Sequence, residues 1–93
     1  MFDRTLRRMR EKIRKRQYVM TLHAEEEMNA DKLTIYDVER SVLVGAIVER
    51  QQDRVTKEWK YRIRGATVAG EEVEIVAKFG PTGKLVVITV YAT

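Results

Sequence analysis

Ninety-three residues, 44% of them hydrophobic, with one proline and no apolar stretch of membrane-spanning length, describe one soluble domain (1–93) with a modest core. The lack of cysteine excludes disulfides, thiolate nucleophiles and cysteine zinc sites, and the single histidine would leave any transition metal to carboxylates, so no metal or cofactor is expected. The net charge of +4 is uneven: residues 1–17 hold eight basic side chains against Asp3 and Glu11, a balance of +6 that leaves −2 for the other 76 residues.

In this basic arm Phe2, Leu6, Met9 and Ile13 recur at spacings of four, three and four, which predicts a helix over residues 3–16 with one narrow apolar seam. Arg4, Arg7, Arg8, Arg10, Lys12, Arg14, Lys15 and Arg16 fill most of the remaining circumference, so the helix rests on the body (17–92) along that seam and turns a basic face outward. Such a face either attracts a polyanion such as RNA, or an acidic protein surface, or simply keeps the protein soluble. No basic stretch followed by an apolar segment and a cleavage site opens the chain, so the expected location is the cytoplasm, with no membrane partner.

Gln17 to Met20 has the composition of a short edge strand, and the Thr21 hydroxyl caps a second helix over 22–30 whose Glu25, Glu26 and Glu27 complement the positive end of its dipole. Thr34 opens a third helix: Asp37 stands where it can reach back to the free amides, and Leu33 and Val38 form a hydrophobic staple. Gly45 reads as a left-handed C-terminal cap that ends this helix near Leu43 or Val44.

Beyond Gly45 the period becomes that of strands, over 46–51, 58–64, 72–79 and 84–91. Gln52 to Lys57 forms a hairpin loop, and Gly80-Pro81-Thr82-Gly83 a turn with neither the spacing nor the following helix of a phosphate loop. The last strand is apolar on both faces, with Val86, Ile88 and Val90 on one side and Leu85, Val87, Thr89 and Tyr91 on the other, which calls for a central or covered position. The expected fold is α+β, with two or three helices packed on one face of a four-stranded, mainly antiparallel sheet.

Thr21-Leu22-His23-Ala24, Met28, Thr34, Asp37-Val38-Glu39, Gly45, Ile47-Val48-Glu49, Tyr61-Arg62-Ile63-Arg64-Gly65 and Ile88-Thr89-Val90-Tyr91, in this order, resemble the prokaryotic family catalogued as domain of unknown function 4258, over residues 17–92. The resemblance implies a grouping with RelE-like toxins and their fold. It further implies a toxin of a toxin–antitoxin pair, acting as a ribonuclease or translation inhibitor on RNA or the ribosome, with a zinc-finger antitoxin of the YgiT type as partner. In many relatives an arginine stands four residues after the histidine and another further along the same helix; here Glu27 and Asp31 hold those places.

Metal-free RNA cleavage needs a base, an acid and cations that stabilise the charged phosphorane. Imidazole is the side chain whose ordinary titration lies nearest neutrality, so His23 is the candidate base or acid. Arg62 and Lys78 supply cationic stabilisation, and Tyr91 or Tyr61 a proton or a stacking surface. Arg7, Arg8, Arg14, Lys15, Lys60 and Arg64 are the candidate nucleic-acid contacts. Each residue has a structural alternative: His23 pairs with Glu27 or a backbone group, Tyr61 belongs to the core, the strand cations form a wet sheet face, and Thr89 and Tyr91 complete a second apolar cluster. The alternative function is a non-catalytic module that binds RNA or a protein through the basic helix.

Overall fold

A computed structural model describes residues 2–93; Met1, the first residue of the basic arm and of the expected domain span, lies outside the described residues. Three helices, α1 (Asp3–Arg14), α2 (Leu22–Ala30) and α3 (Ile35–Val44), pack on one face of a sheet formed by β1 (Tyr18–Met20), β2 (Ala46–Gln52), β3 (Trp59–Ala66), β4 (Glu72–Phe79) and β5 (Leu85–Ala92). The class is α+β as expected, but the sheet has five strands in the order β1-β5-β4-β3-β2 and is mixed, not four-stranded. The difference is β1: the short segment before Thr21 pairs parallel to β5, Tyr18 with Leu85 through Met20 with Val87, so that β5 is internal over that stretch. Among the described residues, no helix is long and apolar enough to cross a membrane.

The seam of α1 places Met9 and Ile13 in the core with Ala24 of α2, Val38 and Val42 of α3, and Ile63, Ile75, Val87 and Val90 of the sheet. α1 ends two residues earlier than its periodicity predicts. Arg16 turns to φ 55°, and the N–H groups of Arg16 and Gln17 return to the carbonyls of Ile13 and Lys12. Lys32 does the same after α2, with φ 58° and its own and Leu33's N–H bonded to Asn29 and Met28. Both ends are Schellman motifs with a long basic residue in the left-handed position where glycine is the usual occupant.

α3 starts on a complete capping box between Thr34 and Asp37, as its sequence predicts. Its end differs: Gly45 is extended (φ −88°, ψ −172°), not left-handed. A side chain is excluded there by proximity, since a Cβ on Gly45 would stand 2.4 Å from the Ser41 carbonyl oxygen, and one on Gly65 of β3 would stand 2.3 Å from the same atom. The two glycines let α3 lie directly on the β3 backbone, with the buried Ser41 hydroxyl donating to Asp37 O (2.6 Å) and Ala66 O (3.3 Å).

β5 contains a bulge that simple alternation misses. Ala77 pairs with Val87 but Val76 with Thr89, so Ile88 is the extra residue and the faces switch there. Leu85, Val87 and Val90 therefore all point into the core, whereas Thr89 and Tyr91 join Val86 on the opposite face; the expected cluster of Thr89 and Tyr91 with Leu85 and Val87 does not form.

Candidate nucleic-acid interface

The sheet face away from the helices is organised around one carboxylate. Register sets Arg64, Glu74 and Tyr91 in a row across β3, β4 and β5, with Arg62 in the next outward position of β3. Arg62 Nη1 donates to Glu74 Oε1 (3.0 Å), Arg64 Nε to Oε2 (2.9 Å) with its Nη2 also 2.9 Å from that oxygen, and the Tyr91 hydroxyl to Oε1. These groups cover Glu74 so fully that only 4% of it is exposed. The Tyr91 hydrogen bond, followed by the two guanidinium groups, pulls the Glu74 carboxyl down to about 2, and the carboxylate in turn pushes the Tyr91 phenol up and holds Arg62 more firmly protonated.

Arg62 has a second carboxylate in Glu49 (3.4 Å), and the other cations of this face are also matched: Lys60 to Asp53 (3.7 Å) and Lys78 to Glu58 (3.0 Å). A hollow of about 130 Å³ lies beside the network between Glu49, Gln51, Lys60 and Arg62. Its walls carry both signs of charge, which makes it a poor trap for a phosphate.

Among the proposed catalytic side chains, Arg62 and Tyr91 thus converge on Glu74, while Lys78 bonds to Glu58 on the same face. His23 stands elsewhere. It occupies the start of α2 with its side chain 65% exposed, and its Nε2 lies 3.1 Å from Glu27 Oε1. α2 lies along β5, and β3 is two strands further, a lateral distance of about 10 Å at ordinary strand spacing.

The basic helix offers a different arrangement. Lys15 is bonded to Glu11 (2.7 Å), Lys12 to Gln17 (3.4 Å), and Arg8 lies over the Phe79 ring at 4.0 Å. Arg10 bonds the Val42 and Gly45 carbonyls (3.2 and 2.8 Å), which fastens α1 to the end of α3. Arg4, Arg7, Arg14 and Arg16 are exposed, and their guanidinium groups have no hydrogen-bond or ion-pair partner among the described residues. From Arg4 to Arg14 the helix advances about 15 Å, so Arg4, Arg7 and Arg14 lie along its outer side, and Arg16 follows in the turn beyond its end. Of the expected nucleic-acid contacts, Arg7 and Arg14 belong to this set, whereas Lys15, Lys60 and Arg64 are paired with carboxylates.

The model of the family described as Domain of unknown function (DUF4258) matches residues 20–92, more than three quarters of the chain. The chain belongs to this family. Within the DUF4258 region lie α2, α3 and the four strands β2 to β5, and with them His23, Arg62, Glu74, Lys78 and Tyr91. α1 and all of β1 but Met20 precede it, so the basic helix is described by its own residues and not by DUF4258. Neither a curated protein nor a solved structure matches the chain.

Sequence reasoning missed three features of this surface. Glu74 reads as one more polar position of an alternating strand, and only the cross-strand register reveals its three partners. The contact of Arg50 with Trp59 (4.1 Å to the ring centroid) likewise depends on pairing across a hairpin. Glu27 and Asp31 prove to be acceptors for the β5 backbone, from Val90 N–H (3.2 Å) and Ala92 N–H (3.1 Å). Among the described residues, no group of three or more metal-ligating side chains converges.

Proposed function

We propose that the protein is an RNA-binding module, acting in the cytoplasm, that engages its ligand through the outer side of α1. The observation that carries this reading is the contrast between two sets of cations: Lys60, Arg62, Arg64 and Lys78 on the open sheet face are matched by carboxylates, while Arg4, Arg7 and Arg14 of α1 and Arg16 just past its end are exposed without an ion-pair partner among the described residues. A phosphate backbone gains from contact with unmatched guanidinium groups through charge-assisted hydrogen bonds and release of its own counterions. The matched sheet cations would first have to give up a carboxylate. Removal of the helix is an unsuitable test, because Met9 and Ile13 are core residues. The suitable variant replaces Arg4, Arg7, Arg14 and Arg16 together with glutamine. It is expected to melt like the parent and to bind RNA at least about tenfold more weakly; undiminished binding contradicts the reading.

The convergence of Arg62 and Tyr91 on the open sheet face favours a second reading, in which the protein is the toxin of a toxin–antitoxin pair. It would then act as a metal-independent ribonuclease or translation inhibitor on the ribosome, with α1 covered by an acidic surface of a zinc-finger antitoxin. Inducible expression of the parent, His23→Ala and Tyr91→Phe, with growth and total RNA integrity followed together, separates the two. Arrested growth and cleaved RNA in the parent alone support the toxin; equal growth in all three supports the module.

A further inference from the structure

The sole tryptophan of the chain, Trp59, begins β3 and keeps 41% of its surface exposed, outside the core cluster. The Arg50 guanidinium lies over its ring, 4.1 Å from the centroid, and 5.8 Å from the centroid of Phe2. Phe2 meets Tyr61 edge-on, with centroids 6.3 Å apart and planes at 80°. Because Phe2 is the residue at which α1 starts, this ladder of rings and one guanidinium runs from the edge of the β2–β3 hairpin to the end of the basic helix that carries Arg4 and Arg7.

Core packing does not account for an indole left so open. A planar cation stacked on an indole presents a flat, polarisable surface with positive charge beside it, and a nucleobase attached to a phosphate has the complementary shape and sign. A base offers its face only when it is unpaired, since in a duplex both faces are covered by neighbours. We infer that the protein selects single-stranded RNA, with one unpaired base stacked on the exposed part of the Trp59–Arg50 pair and the adjoining phosphates following α1. The inference rests on the RNA-binding reading above and adds to it a preference for unpaired over paired strands.

The single tryptophan makes the test direct. Labelled oligouridylate, its duplex with oligoadenylate and an abasic strand of equal length are titrated with the parent, Trp59→Ala, Trp59→Phe and Arg50→Gln, while indole emission is followed in the Trp59-containing proteins. Oligouridylate is expected to quench Trp59, and Trp59→Ala to weaken its binding about 5- to 150-fold, the range for loss of one stacked base. Trp59→Phe should retain most of the affinity, Arg50→Gln should lose part of it, and Trp59→Ala should shift duplex and abasic-strand affinities by less than about twofold. Oligouridylate binding with unchanged emission and unchanged affinity in Trp59→Ala overturns this inference alone. An equal loss on all three ligands also overturns it, since it marks a packing role for the indole. No binding of any RNA by the parent overturns the RNA-binding reading itself.

Discussion

The Glu27 carboxylate accepts the backbone N–H of Val90 at 3.2 Å, on the side of β5 away from β4, where β1 no longer runs beside it. β1 covers β5 only from Leu85 to Val87. Beyond it α2 takes over as a row of side-chain partners: the Thr21 hydroxyl donates to Ile88 O (3.2 Å), Glu27 accepts from Val90, and Asp31 accepts from Ala92 (3.1 Å). An arginine at either acidic position has no acceptor atom and leaves the amide unmatched. The acidic residues thus close an edge that would otherwise be open to pairing with another chain.

Glu27→Ala is accordingly expected to lower stability by about 1–3 kcal/mol, the cost of leaving a buried amide without a partner. Denaturant midpoints at constant slope measure it. His23→Ala, at an exposed position, should change stability by less than about 0.5 kcal/mol. Any loss of growth inhibition in that variant would therefore report chemistry and not unfolding.

Gly65→Ala sets a methyl carbon against the Ser41 carbonyl at 2.3 Å, a backbone atom that cannot turn aside. The helix and strand must separate, at a cost of about 1–3 kcal/mol or more. Thermal unfolding of this variant beside Gly70→Ala, where the added carbon meets no atom within 4 Å but φ is 88°, separates crowding from backbone strain. Gly65→Ala is expected to be the more damaging of the two.

Lys32 holds φ 58° at the end of α2, a conformation that costs an L-residue roughly 1–2 kcal/mol and glycine little. Lys32→Gly is expected to stabilise the protein by about 0.5–1 kcal/mol, after allowing for the greater freedom of glycine in the unfolded chain, and to raise the melting temperature by a few degrees.

The Glu74 cluster gives the protein an acid limb of defined sign. Its carboxyl is held at about 2 in the folded protein against 4.5 ordinarily, first by Tyr91 and then by Arg62 and Arg64. The stabilisation is therefore complete above pH 4.5 and is lost as pH falls towards 2. A displacement of that size corresponds to on the order of 3 kcal/mol of folded-state interaction. Glu74→Gln should be less stable at neutral pH and show a flatter decline between pH 4.5 and 2. An unaltered acid slope in the variant contradicts this role. At the alkaline end Tyr18, pushed up to about 12 by burial and then by its bond to Glu39, supplies stability that is present below pH 10 and lost as pH rises through about 12.

The parts of the fold legible in the sequence are those fixed by neighbours in the chain. The Thr34–Asp37 capping box, the α1 seam and the four longer strands each depend on residues a few positions apart. What escaped depends on register between distant segments. Three residues of β1 carry too little periodicity to announce a parallel pairing with a strand 67 positions away. The Ile88 bulge inverts the faces of β5 without any local signal such as glycine. Gly45 has the composition of a left-handed cap, yet the close approach of Ser41 and Arg64, set by the packing of α3 on β3, dictates it. The same limit applied to the site: the charge of α1 was plain, whereas the neutralisation of Lys60, Arg62, Arg64 and Lys78 emerged only from the three-dimensional pairing.

Contact between phosphates and the free guanidinium groups of α1 and Arg16 is read in the salt dependence of RNA affinity. Four such contacts predict that log K against log salt for a single strand falls with a slope of about −3, and that the slope shrinks towards zero when Arg4, Arg7, Arg14 and Arg16 become glutamine while the melting temperature holds. A parent whose affinity ignores salt, or a fourfold variant that keeps the parent's slope, would show that these guanidinium groups do not meet phosphates.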